Sequence, residues 1–168
     1  MSDTGAGERW YALKTRSRHE KLVCDRLQGQ GIEPLLPTIT RLNQWKDRRK
    51  EVVVPLFSGY CFARFAWPDR LAVRKTSGVV DIVGGGDRPE PIPAEEIEAI
   101  QQLMASTLRY DASPYLREGM MVEVTKGPLQ GVRGLLVRKG KRHRLIIAVH
   151  LIQQAASVEI YDSDVIPV

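Results

Sequence analysis

The stretch "VEVTKGPLQGVRGLLVRKG", residues 122–140, carries four glycines among valines, leucines and basic residues. A phosphate-binding loop needs glycines that leave a strand and enter a helix, whose first N–H groups then bind the anion. Here the glycines lead into "LLVRKG", which has the pattern of a strand. We therefore expect Gly127-Pro128 to turn the chain after one strand, and Gly131 and Gly134 to permit a tight bend into the next.

The sequence around this stretch has the pattern of a small β-barrel. Residues 118–168 contain "MMVEVTKG", "GLLVRKG", "HRLIIAVHLI" and "ASVEIYDSDVIPV", four apolar segments separated by glycine or basic turns, with no pattern of helical length. A unit of this size is stable only when its strands close on one another. Residues 107–117 lose apolar periodicity and predict a linker. A helical circular dichroism signal from residues 112–168 alone would contradict the barrel.

The residues before the linker predict alternating strands and helices. "RWYALKT" (9–15) alternates as a strand does, and Ser17 with Glu20 has the spacing of a capping box, which places a helix start there. Gly29 and Gly31 end that helix. The pattern of residues 8–106 predicts an α+β sandwich, with an antiparallel or mixed sheet and flanking helices.

Two later segments have clear faces. "LFSGYCFARF" (56–65) predicts a strand that places Tyr60, Phe62 and Arg64 on one face and Cys61, Ala63 and Phe65 on the other. "PAEEIEAIQQLM" (93–104) predicts a helix whose early acids lie near the positive end of the helix dipole. Between the first helix and these segments, "TRLNQWKDRRKEVVVP" predicts a hairpin with the charged "KDRRK" (46–50) at its tip.

Composition limits the class of protein. The chain has 168 residues, of which 43% are apolar, and carries no apolar run of membrane-spanning length and no export signal. We expect a cytoplasmic monomer, with Cys24 and Cys61 as buried free thiols. The net charge is +5, and residues 9–50 alone hold 11 basic and 4 acidic residues. This distribution indicates a polyanion or an acidic protein surface as partner, although plain solvation of surface charges is an equal alternative.

Catalysis finds no support in the sequence. His19, His143 and His150 lack metal-ligand spacing, and no nucleophile stands in a recognisable catalytic motif. We therefore expect no enzyme, no metal and no cofactor.

Motifs in both halves resemble one family. The apolar alternation followed by Gly-Pro-Leu-x-Gly-x-x-Gly resembles the KOW motif of transcription and ribosomal proteins. "RWYALKTRSRHEKLV", "PLFSGYCFARF" and "TSGVVDIVGGGDRPEPIP" resemble the N-terminal domain of the NusG family. The matching KOW positions are Lys126, Gly127, Pro128, Leu129, Gly131 and Gly134. The resemblance implies a NusG N-terminal domain at 8–106, a linker at 107–117 and an SH3-like KOW barrel at 118–168.

The family resemblance implies a protein that binds RNA polymerase. In this family an apolar cavity of the N-terminal domain sits on the polymerase clamp and holds it closed across the cleft, so that pausing is suppressed. Phe57, Tyr60 and Phe62 match the strand that lines this cavity, with Tyr11 close by. Tyr60 is the best candidate for an exposed anchor, whereas we expect Trp10 to be a core residue.

A second implied contact is with DNA. Members resembling RfaH touch the exposed non-template strand near the junction of the first strand and helix. The cations at this place in the chain are Lys14, Arg16, Arg18, His19 and Lys21. Several cations at a helix start can donate hydrogen bonds and charge to phosphates together, although a solvated helix start is the alternative. Residues 69–76 stand where such members reach the opposite side of the polymerase, but do not match them.

Two departures favour a specialised relative of the RfaH and UpxY kind over housekeeping NusG. Leu129 stands where housekeeping members have an aromatic, and Ile152-Gln153-Gln154 replaces their Phe-Gly-Arg. These departures argue against a contact with Rho or the ribosome through the barrel. We nevertheless expect Leu129, Val132 and Ile152 to be exposed and available to another partner. The alternative function is that of an RNA-binding or ribosome-associated KOW protein, with "RKGKRHR" (138–144) carrying the affinity.

Overall fold

The computed structural model describes residues 7–45, 48–84, 90–113, 115, 119–139 and 141–168. Several predictions therefore fall partly outside the described residues: the hairpin tip at 46–47, part of the segment "TSGVVDIVGGGDRPEPIP" at 85–89, three linker positions (114 and 116–117), the barrel start at 118 and the last of the four glycines, Gly140. The described parts form two compact units, one from residues 1–37 and 57–93 and the other from residues 38–56 and 94–168.

The first unit is a four-stranded antiparallel sheet with two helices. Its elements in chain order are β1 (Glu8–Thr15), α1 (Glu20–Gly29) and β2 (Glu33–Leu35), followed after the hairpin by β5 (Tyr60–Ala66), α2 (Arg70–Arg74) and β6 (Val79–Ile82). The strand order is β2-β5-β1-β6. A short 3-10 turn, Trp67–Asp69, precedes α2.

The central strand pair of the first unit separates two faces. Leu13 of β1 lies opposite Cys61 of β5, and Ala12 lies opposite Phe62, so successive pairs alternate between the faces. One face packs on Val23, Cys24 and Leu27 of α1 to form a buried core cluster. The predicted two-faced character of residues 56–65 is confirmed.

The start of α1 differs from its prediction. The helix begins at Glu20, with His19 at the N-cap position and no side-chain capping hydrogen bond. The Glu20 side chain is buried, with 4% of its surface exposed, instead of reaching back to Ser17. The predicted capping box is therefore wrong: the apolar stripe of α1 turns Glu20 inward together with Val23 and Cys24.

The second unit contains a hairpin, a helix and a six-stranded sheet. Its elements are β3 (Thr38–Trp45), β4 (Arg48–Pro55), α3 (Ala94–Ala105), β7 (Tyr110–Ser113), β8 (Met120–Val124), β9 (Arg133–Lys139), β10 (Arg142–Val149), β11 (Gln154–Ile160) and β12 (Val165–Pro167). β3 and β4 form the predicted hairpin. The six strands β7 to β12, which we call the barrel sheet, run in the order β12-β8-β9-β10-β11-β7, with every pair antiparallel. The predicted fold class, α+β followed by a small β-barrel, is confirmed.

The linker contains a strand that the sequence pattern did not reveal. β7 lies within the predicted linker and pairs with β11, from Ser113 opposite Ala155 to Tyr110 opposite Val158. The Tyr110 hydroxyl also donates a hydrogen bond to the Thr38 carbonyl oxygen, at 2.8 Å. Backbone pairing at a sheet edge needs no apolar periodicity, which is why residues 107–117 have the pattern of a loop.

The compact units also divide the chain differently from the expected domains. Hairpin β3–β4 and α3 group with the barrel sheet, although the sequence places both before the linker. For α3 the physical reason is direct hydrogen bonding: Gln102 donates to the Pro128 and Gln130 carbonyl oxygens, at 2.8 and 3.0 Å. The domain boundaries at 106 and 118 stay a prediction.

Candidate nucleic-acid and protein interfaces

The predicted DNA-binding residues come together at the turn between β1 and α1. Lys14, Arg16, Arg18 and Lys21 are exposed and His19 is half-buried, and we call these five residues the junction cluster. None of them makes an ion pair within the described part of the chain. Their positive charge therefore stays available to a polyanion.

The backbone under the junction cluster is held in place from two sides. Thr15 N–H donates to the Gly59 carbonyl oxygen at 2.8 Å, and Arg16 N–H donates to that of Gly78 at 2.9 Å. Arg18 adopts a left-handed conformation, with φ of 65°, which closes the tight turn before α1. The junction cluster is thus displayed from the end of β1, a fixed turn and the start of α1.

One segment beside the junction cluster was missed by sequence reasoning: the loop at 76–78, whose Gly78 carbonyl oxygen accepts the Arg16 N–H. The loop at 76–78 packs beside α1, because Arg26 Nη1 donates to the Ser77 carbonyl oxygen at 2.6 Å and Gln30 Nε2 donates to Thr76 Oγ1 at 3.0 Å. This loop is separated from the cluster by more than fifty positions, so only the fold brings the two regions together.

Gly78 is the sequence signal that could have revealed this approach. Its φ is +98°, and a Cβ there would lie 2.8 Å from Val23 Cγ2 and 3.4 Å from His19 Cβ. A glycine that follows a predicted helix can mark such close contact between backbone and another element.

The four aromatic residues predicted to bind polymerase do not share one exposed surface. Phe57, Phe62 and Tyr11 are 1%, 0% and 5% exposed, so they are core residues in this structure. The rings of Phe57 and Phe62 meet edge to face, 6.2 Å apart. Tyr60 is half-buried and is the only one of the four that keeps exposed surface.

Tyr11 was predicted to lie close to the cavity and Trp10 to be a core residue, but the structure places the two on the reverse faces of the sheet. Tyr11 packs on Phe65 and Trp67 on the α1 side, with ring centroids 4.6 and 5.7 Å apart. Trp10 lies opposite Arg64 on the face of Phe62 and is half-buried, so the expectation that Trp10 is fully core is wrong. Strand alternation fixes both outcomes, since neighbouring residues in a strand point to opposite faces.

Tyr60 adjoins the junction cluster. It lies directly opposite Lys14 in the pairing of β1 with β5, and directly opposed side chains of an antiparallel pair point to the same face. An aromatic ring with exposed surface and an unpaired cation are therefore neighbours on one face of the sheet. This pairing places Tyr60 beside Lys14, one member of the junction cluster.

The KOW motif residues build a turn, as predicted, but with a different division of tasks. Gly127 and Gly131 have φ of 84° and 88°, which suits the predicted bend. Gly134 lies inside β9 without a positive φ, so its predicted role in the bend is wrong. A Cβ at Gly134 would collide with the Ile146 carbonyl oxygen and lie 3.1 Å from Leu145 Cδ1, so this glycine gives room to the neighbouring strand β10.

The three aliphatic residues that we expected to be exposed are not available to a partner. Leu129, Val132 and Ile152 are 2%, 4% and 5% exposed, so the prediction that they are exposed is wrong. They fill the interior beside the turn, where apolar burial is favourable. Pro128 is exposed, and Lys126 makes an exposed ion pair with Asp164 at 3.8 Å.

A cavity of about 710 Å³ lies between α3 and the barrel sheet. Glu95, Glu96 and Glu98 form one wall, and Leu135 and Ile146 contribute to the other. Glu96 accepts a hydrogen bond from the His150 backbone N–H at 3.0 Å. Burial raises the pKa of the Glu96 carboxyl, while the His150 N–H works in the opposite direction. The cavity thus contains a carboxyl group that is harder to ionise than usual.

Neither a metal centre nor a membrane span is found in the described residues. No group of three or more His, Cys, Asp or Glu there has the geometry to hold a metal ion. Over the same residues, no helix combines the length and apolar character needed to cross a bilayer.

Comparisons with known proteins agree on one family. The family model described as "Transcription termination factor nusG" matches residues 8–101. The transcription termination/antitermination protein NusG of Streptococcus pyogenes serotype M3 is 29% identical, with 90% of this chain and 93% of that protein covered. NusG of Thermus thermophilus is 28% identical, with 94% and 97% covered.

A solved structure supports the fold. A solved structure on the domain interaction in Thermotoga maritima NusG matches this chain with a TM-score of 0.53 and 20% sequence identity. The match covers 94% of this chain and 96% of that chain. Because the family model spans more than half of the chain and includes the junction cluster and Tyr60, the chain belongs to the NusG family of transcription factors.

Proposed function

We propose that this protein binds the clamp of RNA polymerase during elongation, bridges the cleft and suppresses pausing or termination, at specific operons. The observation that carries the proposal is the surface formed by Tyr60 and the junction cluster. An exposed aromatic side chain such as Tyr60 supplies binding energy when a partner protein removes it from water. The neighbouring cations can bind a nucleic-acid strand that leaves the polymerase next to this aromatic contact. The work is binding rather than chemistry, in the cytoplasm.

The junction cluster supports contact with single-stranded DNA. The junction cluster contains four exposed cations that make no ion pair within the described residues: Lys14, Arg16, Arg18 and Lys21. Phosphate groups can therefore replace the water molecules around them. Such contacts position a strand without reading its sequence. We infer that the non-template strand is the ligand.

The decisive experiment compares variants in a purified elongation complex. Pause duration and terminator read-through are measured with wild type, with Tyr60→Ala and with Tyr161→Ala. Tyr161 is the matched control, because it is 75% exposed and lies in the other unit. We expect Tyr60→Ala to weaken polymerase binding by about 1–3 kcal/mol, which is roughly 5-fold to 150-fold, and Tyr161→Ala to leave it unchanged. Equal binding by Tyr60→Ala and wild type would remove the anchor.

A footprint of the non-template strand tests the DNA contact separately. The double variant Arg16→Gln with Arg18→Gln should lose protection of this strand, whereas Arg48→Gln with Arg49→Gln in hairpin β3–β4 is the matched control for lost charge. An unaltered footprint in the first variant would exclude the junction cluster as the DNA site. A loss in the second variant alone would move that site to the hairpin.

The second candidate function is binding of RNA or a ribosomal component by the barrel sheet. It is supported by the exposed basic residues Arg138, Lys141 and Arg142 near the turn between β9 and β10. Arg142 is also engaged by Glu159, with Nη1 to Oε2 at 3.0 Å, and Arg144 donates to Ser157 Oγ at 2.9 Å. These contacts leave less free charge than the junction cluster has. The burial of Leu129 and Ile152 gives no support to a contact with Rho or the ribosome through these two residues.

A further inference from the structure

Two cysteines that are 37 positions apart in the sequence belong to the same core cluster of the first unit. Cys24 lies on the inward side of α1, and Cys61 lies on the face of β5 that packs against this helix. Both are free thiols and are 7% and 0% exposed. The packing of α1 on β5 thus brings a pair of thiols together, with Cys24 at the more accessible end.

The surroundings of the two thiols are unusually polar for a core. Glu20, one helical turn before Cys24, has its Oε1 atom buried without a hydrogen-bond partner, and Thr15 Oγ1 is in the same state. Buried polar atoms are normally satisfied, so the unpaired Glu20 carboxyl oxygen is an unusual feature of this core. The negative charge of Glu20 acts on both thiols.

The two sulfur atoms differ in reactivity. Hydrogen bonding with Cys61 lowers the pKa of the Cys24 thiol, against the opposing effects of burial and of the nearby acids Asp25 and Glu20. The same hydrogen bond and burial raise the pKa of Cys61 far above its usual range. Because the thiolate is the nucleophile in thiol oxidation and Cys24 is the more exposed of the two, we expect Cys24 to react first and Cys61 to resolve the product.

We propose that Cys24 and Cys61 form a modification site, at which a peroxide converts the two thiols into an intramolecular disulfide. The Cys24 thiolate attacks one peroxide oxygen, the O–O bond breaks, and the departing hydroxide takes up a proton to become water. Cys24 is then a sulfenic acid. The Cys61 sulfur attacks the Cys24 sulfur, the S–O bond breaks, and the released hydroxide takes the Cys61 proton to form a second water. The protein loses two electrons and two protons, and the peroxide is the oxidant.

The disulfide would connect the two elements that carry the proposed binding surface. Lys21 lies on α1 and Tyr60 on β5, so a covalent bond between these elements would restrict their relative motion. A bond between positions 24 and 61 also closes a long loop of the unfolded chain, which stabilises the folded state. We therefore expect the oxidised protein to melt at a higher temperature than the reduced protein.

Intact-mass analysis of the full chain tests the proposal. The folded protein is treated with hydrogen peroxide, unfolded and exposed to iodoacetamide. Wild type should lose the mass of two hydrogen atoms, resist alkylation at both cysteines and regain both sites after dithiothreitol. Two alkylated cysteines after peroxide, or a disulfide between two chains, would overturn the proposal.

Single substitutions identify which of the two sulfur atoms the peroxide oxidises first. Cys61→Ala should accumulate a Cys24 sulfenic acid that dimedone traps, whereas Cys24→Ala should trap little and should not gain melting temperature on peroxide treatment. A trapped sulfenic acid on Cys61 alone would reverse the assignment of the two roles and refute it. Circular dichroism checks that each variant is folded, and the wild-type mass decides the main question even when a variant is not.

A variant of the buried acid provides an independent test. Glu20→Gln removes the negative charge that raises the pKa of both thiols, with little change in volume, so the disulfide should form faster than in wild type. Lys21→Gln, which changes the charge of the next and exposed residue, is the control and should not accelerate the reaction. A rate for Glu20→Gln equal to or below that of wild type would overturn the part assigned to Glu20.

Discussion

Gly134 shows how one residue without a side chain determines the spacing of two strands. It is buried in β9 opposite Val122, and a Cβ there would press on Leu145 and on the Ile146 carbonyl oxygen of β10. Backbone atoms cannot move aside as the end of a flexible side chain can. The glycine is therefore needed for close approach, and not for conformational freedom.

We expect Gly134→Ala to destabilise the protein by about 1–3 kcal/mol, because the added methyl group overpacks the sheet. Urea denaturation measures the change. Gly29→Ala is the matched control: no atom lies within 4 Å of its added Cβ, and helix propensity should keep or raise stability by less than about 1 kcal/mol. Similar losses in both variants would show that the contact with β10 is not the cause.

Glu96 gives stability a pH dependence of known sign. Burial raises its pKa above the ordinary value of 4.5, so its contribution to stability is fully present below about pH 4.5 and is lost as pH rises through the raised pKa. Glu96→Gln removes this loss, and the amide oxygen can still accept the His150 N–H. We expect the unfolding free energy of the variant relative to wild type to increase with pH, measured by urea denaturation between about pH 4 and 8.

Glu98→Gln is the control for this experiment, because it removes an exposed carboxylate from the same helix. A pH profile shared by the two variants would mean that the burial of Glu96 is not responsible. A difference that decreases as pH rises would have the wrong sign and would refute the assignment.

At the scale of the element, α3 is attached to the KOW turn by one side chain. Gln102 Nε2 donates to two carbonyl oxygens of the turn, those of Pro128 and Gln130. Removing both bonds with Gln102→Ala should cost about 1 kcal/mol and should increase amide hydrogen exchange in residues 127–131. Gln101→Ala makes the same chemical change at an exposed neighbouring position of the helix and should alter neither quantity. Equal exchange in the two variants would exclude the contact.

Most elements could be predicted from local patterns, and the failures share a cause. Alternation identified β1 and β5, and glycines marked the end of α1, because these signals lie within the element itself. The Ser17 and Glu20 spacing fits a capping box equally well whether Glu20 turns outward or inward. Only the packing of α1 on the sheet decides between the two, and a pattern of four residues does not contain it.

At the scale of the whole molecule, long-range contacts account for what sequence reasoning missed. β7 is a strand because β11 offers it a free edge, and Gly78 reaches Arg16 of the junction cluster because the 76–78 loop packs on α1. For the candidate surface, the sequence pointed to cations that are exposed in the structure. Of the four aromatic residues predicted for the same surface, only Tyr60 keeps exposed surface. Which aromatic residues of a strand reach solvent depends on what covers each face.

The salt dependence of binding separates the two candidate functions. The net charge is +5, but residues 9–50 carry an excess of seven positive charges. Each phosphate neutralised on a single strand adds about 0.7 to the slope of log affinity against log salt concentration. If the junction cluster holds the strand, neutralising three of its cations should lower this slope by up to about 2.

Two triple variants measure this slope, with binding to a single-stranded DNA and to an RNA of equal length followed by fluorescence anisotropy. The variants carry glutamine at Arg16, Arg18 and Lys21 in the junction cluster, and at Arg138, Lys141 and Arg142 in the barrel sheet. We expect the first variant to lose slope and affinity for DNA while the second, which removes the same formal charge, keeps both. Loss of slope in the barrel variant alone, with RNA as the stronger ligand, would favour the RNA-binding function instead. Equal losses in the two variants would mean that net charge, and not a defined surface, attracts the polyanion.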